Sequence, residues 1–278
     1  MIDKPISYGR QFISEDDIQA VVETLRGDYL TCGPAIAKFE QAFCEYVNAK
    51  YSVAVCNATA ALHIAVMALG VKEGDNVICT PMTFASSANC IRFCGGNVKF
   101  VDIDPETYLL DINKLKEILS TAPKGTYKGM VLVDFAGYPH NMEEYRKVAD
   151  EYGMWILEDA CHAPGAYFID STGEKVYCGC GKYSDITVFS FHPVKHITTG
   201  EGGMACTQNK EYYKKMALYR THGITHDADK LQREDGLWYY EMQELGYNYR
   251  ITDIQAALGT SQLKRARKNV EIRRELVR

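Results

Sequence analysis

The sequence predicts an α/β fold in three layers, a mostly parallel central sheet with helices on both faces. Short, near-continuous apolar runs recur along the 278 residues and alternate with segments whose apolar side chains repeat at helical spacing. Such runs suit strands covered on both faces, and the segments between them suit crossover helices. Asn57, Phe84, Asp159 and Lys195 each fall just after an apolar run, and in open α/β sheets ligands sit outside the carboxyl ends of the strands.

Tyr8-Gly9-Arg10-Gln11 precedes the first helix, which Ser14 and Asp17 open as a variant capping box. Ile18, Val21, Val22 and Leu25 give that helix one apolar face, and Gly27 ends it. The following loop, with Asp28, Tyr29, Leu30 and Thr31, suits either a connector or a binding edge, and a second helix runs over 35–47. A strand over 51–56 leads through Asn57-Ala58-Thr59 into a helix ending at Leu69. Small side chains at that turn let backbone N–H groups close round a phosphate, and Thr59 adds a hydroxyl, although Asn and Thr are also ordinary N-caps.

Strands follow over 77–79, 98–102, 129–134 and 154–159, with a helix over 112–119 and another, after the third of these strands, through Asp150. Phe84, after the first of these strands, is either core or a stacking platform for a flat ring. Asp159-Ala160-Cys161-His162 is either a strand-terminating turn or a carboxylate placed to pair with a protonated ring nitrogen, with His162 beside it. After a Gly/Cys loop over 176–183, the run 186–191 reads as a buried strand that breaks at His192-Pro193 and ends on Lys195.

Lysine is mostly an exposed cation. Lys195, however, follows a buried strand and is walled by apolar and hydroxyl side chains, with Asp159, His162 and Ser190 upstream. Desolvation disfavours the ammonium, and a neutral lysine amine is a nucleophile that forms a Schiff base. A further apolar run starts at Met204, a helix covers 211–220, and a charged stretch over 226–244 reads as mobile. Gly246-Tyr247-Asn248-Tyr249-Arg250 then leads into a helix through Leu263, and 264–278 reads as a basic-acidic helix.

A content of 46% hydrophobic residues supports one large core. A net charge of −5 without a long basic run argues against nucleic acid as partner. No apolar stretch approaches the roughly 20 residues that cross a bilayer, and the first residues lack the apolar core of a signal peptide. The expected location is cytoplasmic, with no membrane partner. The ten cysteines are scattered without CxxC spacing, so they read as reduced apolar thiols rather than metal ligands or disulfides.

The motifs Asn57-Ala-Thr-Ala-Ala-Leu-His63, Thr83-Phe84, Glu158-Asp-Ala-Cys-His162, Ser190-Phe-His-Pro-Val-Lys195 with Glu201-Gly-Gly203, and Gly246-Tyr-Asn-Tyr-Arg250 stand in one order along the chain. In that order they resemble the DegT/DnrJ/EryC1/StrS family of sugar aminotransferases. The Ser-Phe-His-Pro-Val-Lys wording is most like the branch acting in pseudaminic acid biosynthesis, and Thr221-His222-Gly223-Ile224 and Trp238-Tyr-Tyr-Glu241 point the same way. The resemblance implies the pyridoxal phosphate (PLP)-dependent transferase fold of type I, the aspartate aminotransferase type. Lys195 would bind the cofactor covalently and carry the proton. Asp159 would hold the pyridine nitrogen protonated, Phe84 would stack on the ring, and His162 would lie near its 3-oxygen. Ala58, Thr59 and Ser190 would hold the phosphate, with Asn248 reaching it from the neighbouring subunit of a homodimer. Tyr8, Asp28, Tyr29, Leu30, Thr31 and Asn57 match positions near a sugar-nucleotide substrate.

The implied reaction is ping-pong transfer of the amino group of L-glutamate to C4 of a UDP-linked 4-keto-6-deoxy-N-acetylhexosamine. Residues 1–250 would form the large PLP-binding domain, with the N-terminal helix and substrate loop in 1–34. Residues 251–278 would start a helix leading toward a small C-terminal domain. Ala58 stands where the family often has Gly or Ser, so a phosphate contact there comes from backbone. One alternative is a PLP-binding regulatory protein without turnover; another is an aminotransferase for a different 4-keto nucleotide sugar. A dinucleotide-binding reading of Gly200-Glu-Gly-Gly-Met-Ala205 fails because the residues after it continue as a strand, where that motif requires a helix.

Overall fold

The computed structural model describes residues 9–233, 236 and 238–277. The chain opens with two helices, α1 (Glu15–Arg26) and α2 (Pro34–Val47), before the first strand β1 (Tyr51–Val55). Ser14 and Asp17 form a reciprocal capping box at the start of α1. The core then alternates: α3 (Ala58–Ala68), β2 (Asn76–Cys79), α4 (Ser86–Phe93), β3 (Asn97–Phe100), α5 (Ile112–Thr121), β4 (Tyr127–Val133), α6 (Met142–Tyr152) and β5 (Trp155–Asp159). A small hairpin of β6 (Tyr167–Ile169) and β7 (Lys175–Tyr177) precedes β8 (Ile186–Ser190), β9 (Gly203–Thr207) and α7 (Lys210–Arg220). The short pair β10 (Ile224–Thr225) and β11 (Glu241–Met242) leads to α8 (Asp253–Leu263) and α9 (Ala266–Val277).

Seven strands make the central sheet in the order β1-β9-β8-β5-β4-β2-β3. Neighbours from β3 to β8 are parallel, whereas β9 runs antiparallel to both β8 and β1. An apolar run carries no information about its direction, so the sequence predicts this strand and not its orientation. Side chains alternate across the sheet. Val131, Leu157, Ile186 and Val188 pack with α3 on one face, while Met130, Leu132 and Ile156 pack beneath α5 and α6 on the other.

The charged stretch over 226–244 is not featureless: Ile224 and Thr225 pair with Met242 and Glu241. α9 joins α8 through a break at Lys264 and Arg265, and α8 is built into the large core. Its Ala256 and Leu263 pack with Phe39 and Phe43 of α2. Its first residue, Asp253, accepts the N–H groups of Gly33 and Ala35 at 2.8 and 2.9 Å and so caps α2. At the other end of α8, the buried Asp17 of α1 accepts from Gln262 at 2.8 Å and from Arg265. Burial alone would raise the Asp17 carboxyl, but Arg265, the Ser14 N–H and Ser261 outweigh it and take it down to about 2.

Candidate active site

The carboxyl ends of β4, β5 and β8 and the N-terminus of α3 enclose a cavity of about 510 Å³, into which Asp159, His162, Ser190 and Lys195 all project. Strand periodicity explains the gathering: Val133, Asp159 and Ser190 share the sheet face that carries α3. Phe84, on the turn between β2 and α4, is 76% exposed and presents its ring at the cavity. Lys195 is half-buried, and its Nζ forms no hydrogen bond or ion pair among the described residues.

At one end the cavity is built for an anion. Asn57 caps α3 by accepting the Ala60 N–H at 2.8 Å, which leaves the N–H groups of Ala58 and Thr59 without partners in the helix. The Thr59 and Ser86 hydroxyls lie 2.7 Å apart beside them. Gly203 of β9 passes directly under this helix start: a Cβ there would come within 2.6 Å of the Ala58 nitrogen.

At the other end Asp159 is held on both oxygens. The buried Ser87 hydroxyl donates to Oδ2 at 2.6 Å, and the Cys161 N–H reaches Oδ1 at 3.2 Å. Ser87 in turn pairs with the Thr83 hydroxyl at 2.7 Å. The His162 ring accepts the Ala136 N–H on Nδ1 at 3.3 Å. Burial holds its pKa below the usual imidazole value, and the Lys195 cation adds to the effect. Burial, reinforced by Asp159, pushes the Cys161 thiol well up, so it stands there as a neutral group.

The structure therefore brings Asn57, Ala58, Thr59, Phe84, Asp159, His162, Ser190 and Lys195 to one cavity. Of the other residues expected at the site, the described ones lie elsewhere. Asp28 and Tyr29 border a separate groove of about 470 Å³ between α1, α2 and α8. Leu30 and Thr31 lie along the start of α8, where the Leu30 carbonyl accepts the Asp253 N–H at 3.0 Å and Thr31 bridges Thr252. Asn248 is exposed and bridges Thr221. Tyr8 falls outside the described residues. Ser86 and Ser87 escape sequence reasoning, although Thr83 and Ser87 stand four apart, one turn of helix.

A lysine and an aspartate at strand ends, a flat aromatic and an anion cradle at a helix start fit a planar ligand with an anionic group at one end and a protonatable ring nitrogen at the other. The fold is that of the PLP-dependent transferases of type I. Within that class the chain belongs to the DegT/DnrJ/EryC1/StrS aminotransferase family, whose model matches residues 11–278.

It is 40% identical over 272 residues to a UDP-4-amino-4,6-dideoxy-N-acetyl-beta-L-altrosamine transaminase of Campylobacter jejuni, covering 98% of this chain and 67% of that protein. PseC of Helicobacter pylori, an aminotransferase involved in the biosynthesis of pseudoaminic acid, superposes with a TM-score of 0.83 at 30% identity over 95% of this chain and 66% of its own. A putative sugar aminotransferase of Streptococcus pneumoniae, in its PLP form, superposes with a TM-score of 0.84 at 29% identity, over 99% of this chain and 70% of that one. The chain thus spans about two thirds of the length of these relatives, and 64% of a 41%-identical uncharacterized protein of Methanocaldococcus jannaschii. Among the described residues no helix is long and apolar enough to cross a membrane.

Proposed function

We propose that this chain carries the cofactor-binding and catalytic centre of a PLP-dependent sugar-nucleotide aminotransferase. Its amino donor would be L-glutamate and its acceptor the C4 carbonyl of a UDP-linked 4-keto-6-deoxy-N-acetylhexosamine, as in a pseudaminic acid type pathway. The observation that carries the reading is the single cavity in which Lys195 and Asp159 face the open N-terminus of α3. When bound, PLP supplies an electron sink for carbanionic charge.

The protein's residues then have distinct tasks. Ala58 and Thr59 N–H groups and the Thr59, Ser86 and Ser190 hydroxyls bind the phosphate. Asp159 keeps a proton on the ring nitrogen, and Ser87 and the Cys161 N–H hold the carboxylate in place for it. Phe84 covers one face of the ring, and His162 donates from Nε2 toward the ring oxygen. Lys195 would hold the cofactor through Nζ, and the same amine would move the proton that transamination relocates. The exposed Asn248 would serve a second subunit of a homodimer. The sugar assignment draws on the likeness to the Campylobacter transaminase and to PseC.

The test is an absorption spectrum of purified protein with PLP, before and after glutamate. A visible imine band that bleaches with glutamate and is missing in Lys195→Ala is the expected result; Lys195→Ala protein that still transaminates would overturn it. An imine band indifferent to glutamate would favour a PLP-binding protein without turnover.

A further inference from the structure

Behind the cavity, on the opposite face of the sheet, lies a buried cluster that the proposed chemistry does not use. Asp134 follows β4, and Glu158 precedes Asp159 on β5. Both are buried, together with His140 and Cys178. The ligand-type atoms of Asp134, Glu158 and Cys178 all lie within 4.8 Å of one another.

The two carboxyls differ in their partners. Asp134 Oδ1 accepts the His140 backbone N–H at 3.1 Å and pairs with the His140 Nδ1 at 2.9 Å; with the ring proton on Nδ1 both contacts favour an ionised Asp134. Glu158 Oε2 accepts from the Thr187 hydroxyl at 2.6 Å and from the Ser184 hydroxyl at 3.1 Å. Glu158 stands against Asp134, whose Oδ2 no N–H or hydroxyl reaches, and the Cys178 thiol lies beside both carboxyls. Two buried carboxylates cannot face each other without a proton or a cation between them. Burial pushes both carboxyls up; the Asp134 charge adds to the effect on Glu158 against the two hydroxyls, whereas on Asp134 the His140 N–H, the Cys178 thiol and Glu158 act against burial and Asp159. Burial also keeps the Cys178 thiol protonated, a poor state for ligating a metal. A proton on Glu158, shared with Asp134, gives Oδ2 the donor it otherwise lacks.

Asp134 also opens the turn that reaches the cavity. Its own N–H bonds the Asp159 carbonyl at 3.1 Å, and its carbonyl accepts from Gly137 at 3.0 Å. Ala136 within the turn adopts φ +54° and Gly137 φ +85°, and a left-handed alanine is strained by roughly 1 kcal/mol. That strained residue supplies the N–H to His162 Nδ1. A donor at Nδ1 forces the ring proton onto Nε2.

We propose that Asp134 is a positioning residue: clasped by His140 on one oxygen and by a protonated Glu158 on the other, it holds the 134–140 turn so that Ala136 fixes His162 as the Nε2–H tautomer. The idea rests on the reading of His162 as the histidine that faces the cofactor. It makes Glu158 and Asp159, adjacent in sequence, a neutral acid and a charged base.

The test uses two readouts that need no turnover, so a failure of transamination leaves them legible. Infrared difference spectra at neutral pH should show the carbonyl stretch of a protonated acid, and Glu158→Gln should lose it. Glu158→Gln should keep wild-type Tm, because the amide N–H replaces the acid proton. Nitrogen NMR of histidine-labelled protein, with His162 assigned from His162→Asn, should show a neutral ring protonated on Nε2 in wild type and in Glu158→Gln. Glu158→Leu, which has no donor, should lose that single-tautomer signature. A missing acid band, a band that survives Glu158→Gln, or a His162 protonated on Nδ1 would each overturn the proposal. An unchanged His162 in folded Glu158→Leu would overturn it as well. Should Glu158→Leu fail to fold, the wild-type and Glu158→Gln spectra decide alone.

Discussion

Ser87→Ala isolates the contribution of one hydroxyl to the Asp159 carboxylate. The wild-type hydroxyl donates to Oδ2 at 2.6 Å in a place sealed from solvent, so no water replaces it when it is removed. A hydrogen bond to a charged group contributes about 1.5–3 kcal/mol. At about 1.4 kcal/mol per tenfold, that corresponds to a loss of roughly 10- to 150-fold. The loss should appear in the rate of the glutamate half-reaction, followed as bleaching of the cofactor band in single-turnover mixing. Binding of PLP should weaken less, since the phosphate end is untouched. The same substitution in an Asp159→Asn background discriminates further. An asparagine has no charge for Ser87 to stabilise, so the second loss should shrink to a few-fold, giving a coupling in the double-mutant cycle. If Ser87→Ala reacts within twofold of wild type, or costs as much in the Asp159→Asn background as with the native aspartate, the positioning argument fails.

Gly203→Ala would drive a Cβ to 2.6 Å from the Ala58 nitrogen. Backbone must shift there, so Tm should drop by the equivalent of about 1–3 kcal/mol and PLP affinity, read by fluorescence titration, should fall at least as far. Arg265→Ala leaves Asp17 as a buried carboxylate with only neutral donors, Gln262, Ser261 and the Ser14 N–H; urea unfolding should show a loss of roughly 3 kcal/mol. The same pair sets an acid limit. Because the folded Asp17 carboxyl sits at about 2, below its ordinary 3.8, its stabilisation is present above pH 4 and is lost as pH falls from about 4 toward 2. Arg265→Ala should flatten the dependence of stability on pH in that window.

The strands, the main helices and the chemistry-bearing strand ends were legible in the sequence because burial on both faces demands unbroken apolar runs. Lys195 and Asp159 stood out for a related reason, as charged residues directly after such runs. Ser86 and Ser87 did not, because a hydroxyl on the first turn of α4 looks the same whether it faces water or Asp159; only the β2–α4 crossover decides. The Asp28–Thr31 loop shows the converse. Its composition suited a connector or a binding edge, and its seat on α8, where Asp253 lies 220 residues after Gly33, is a pairing that no local pattern could reveal. The short β10–β11 pair was masked by its charged connection, which carries too few apolar residues to register as strand.

The dipeptide Glu158-Asp159 shows why a strand end is an efficient place for this chemistry. A period of two sends the neighbouring carboxyls to opposite faces of the sheet, so residues one position apart meet different surroundings. Asp159 meets a cavity shared with Lys195 and two donors that favour its charge. Glu158 meets hydroxyls and a second carboxyl in a closed interior, where charge is costly. A one-residue slip of β5 would exchange the two surroundings, turning Glu158 toward the cavity and Asp159 into the closed interior. The parallel ladders on both sides, Leu132 beside Glu158 and Val188 beside Asp159, forbid that slip. Register, a property of the whole sheet, therefore determines which of two adjacent carboxyls faces the cavity.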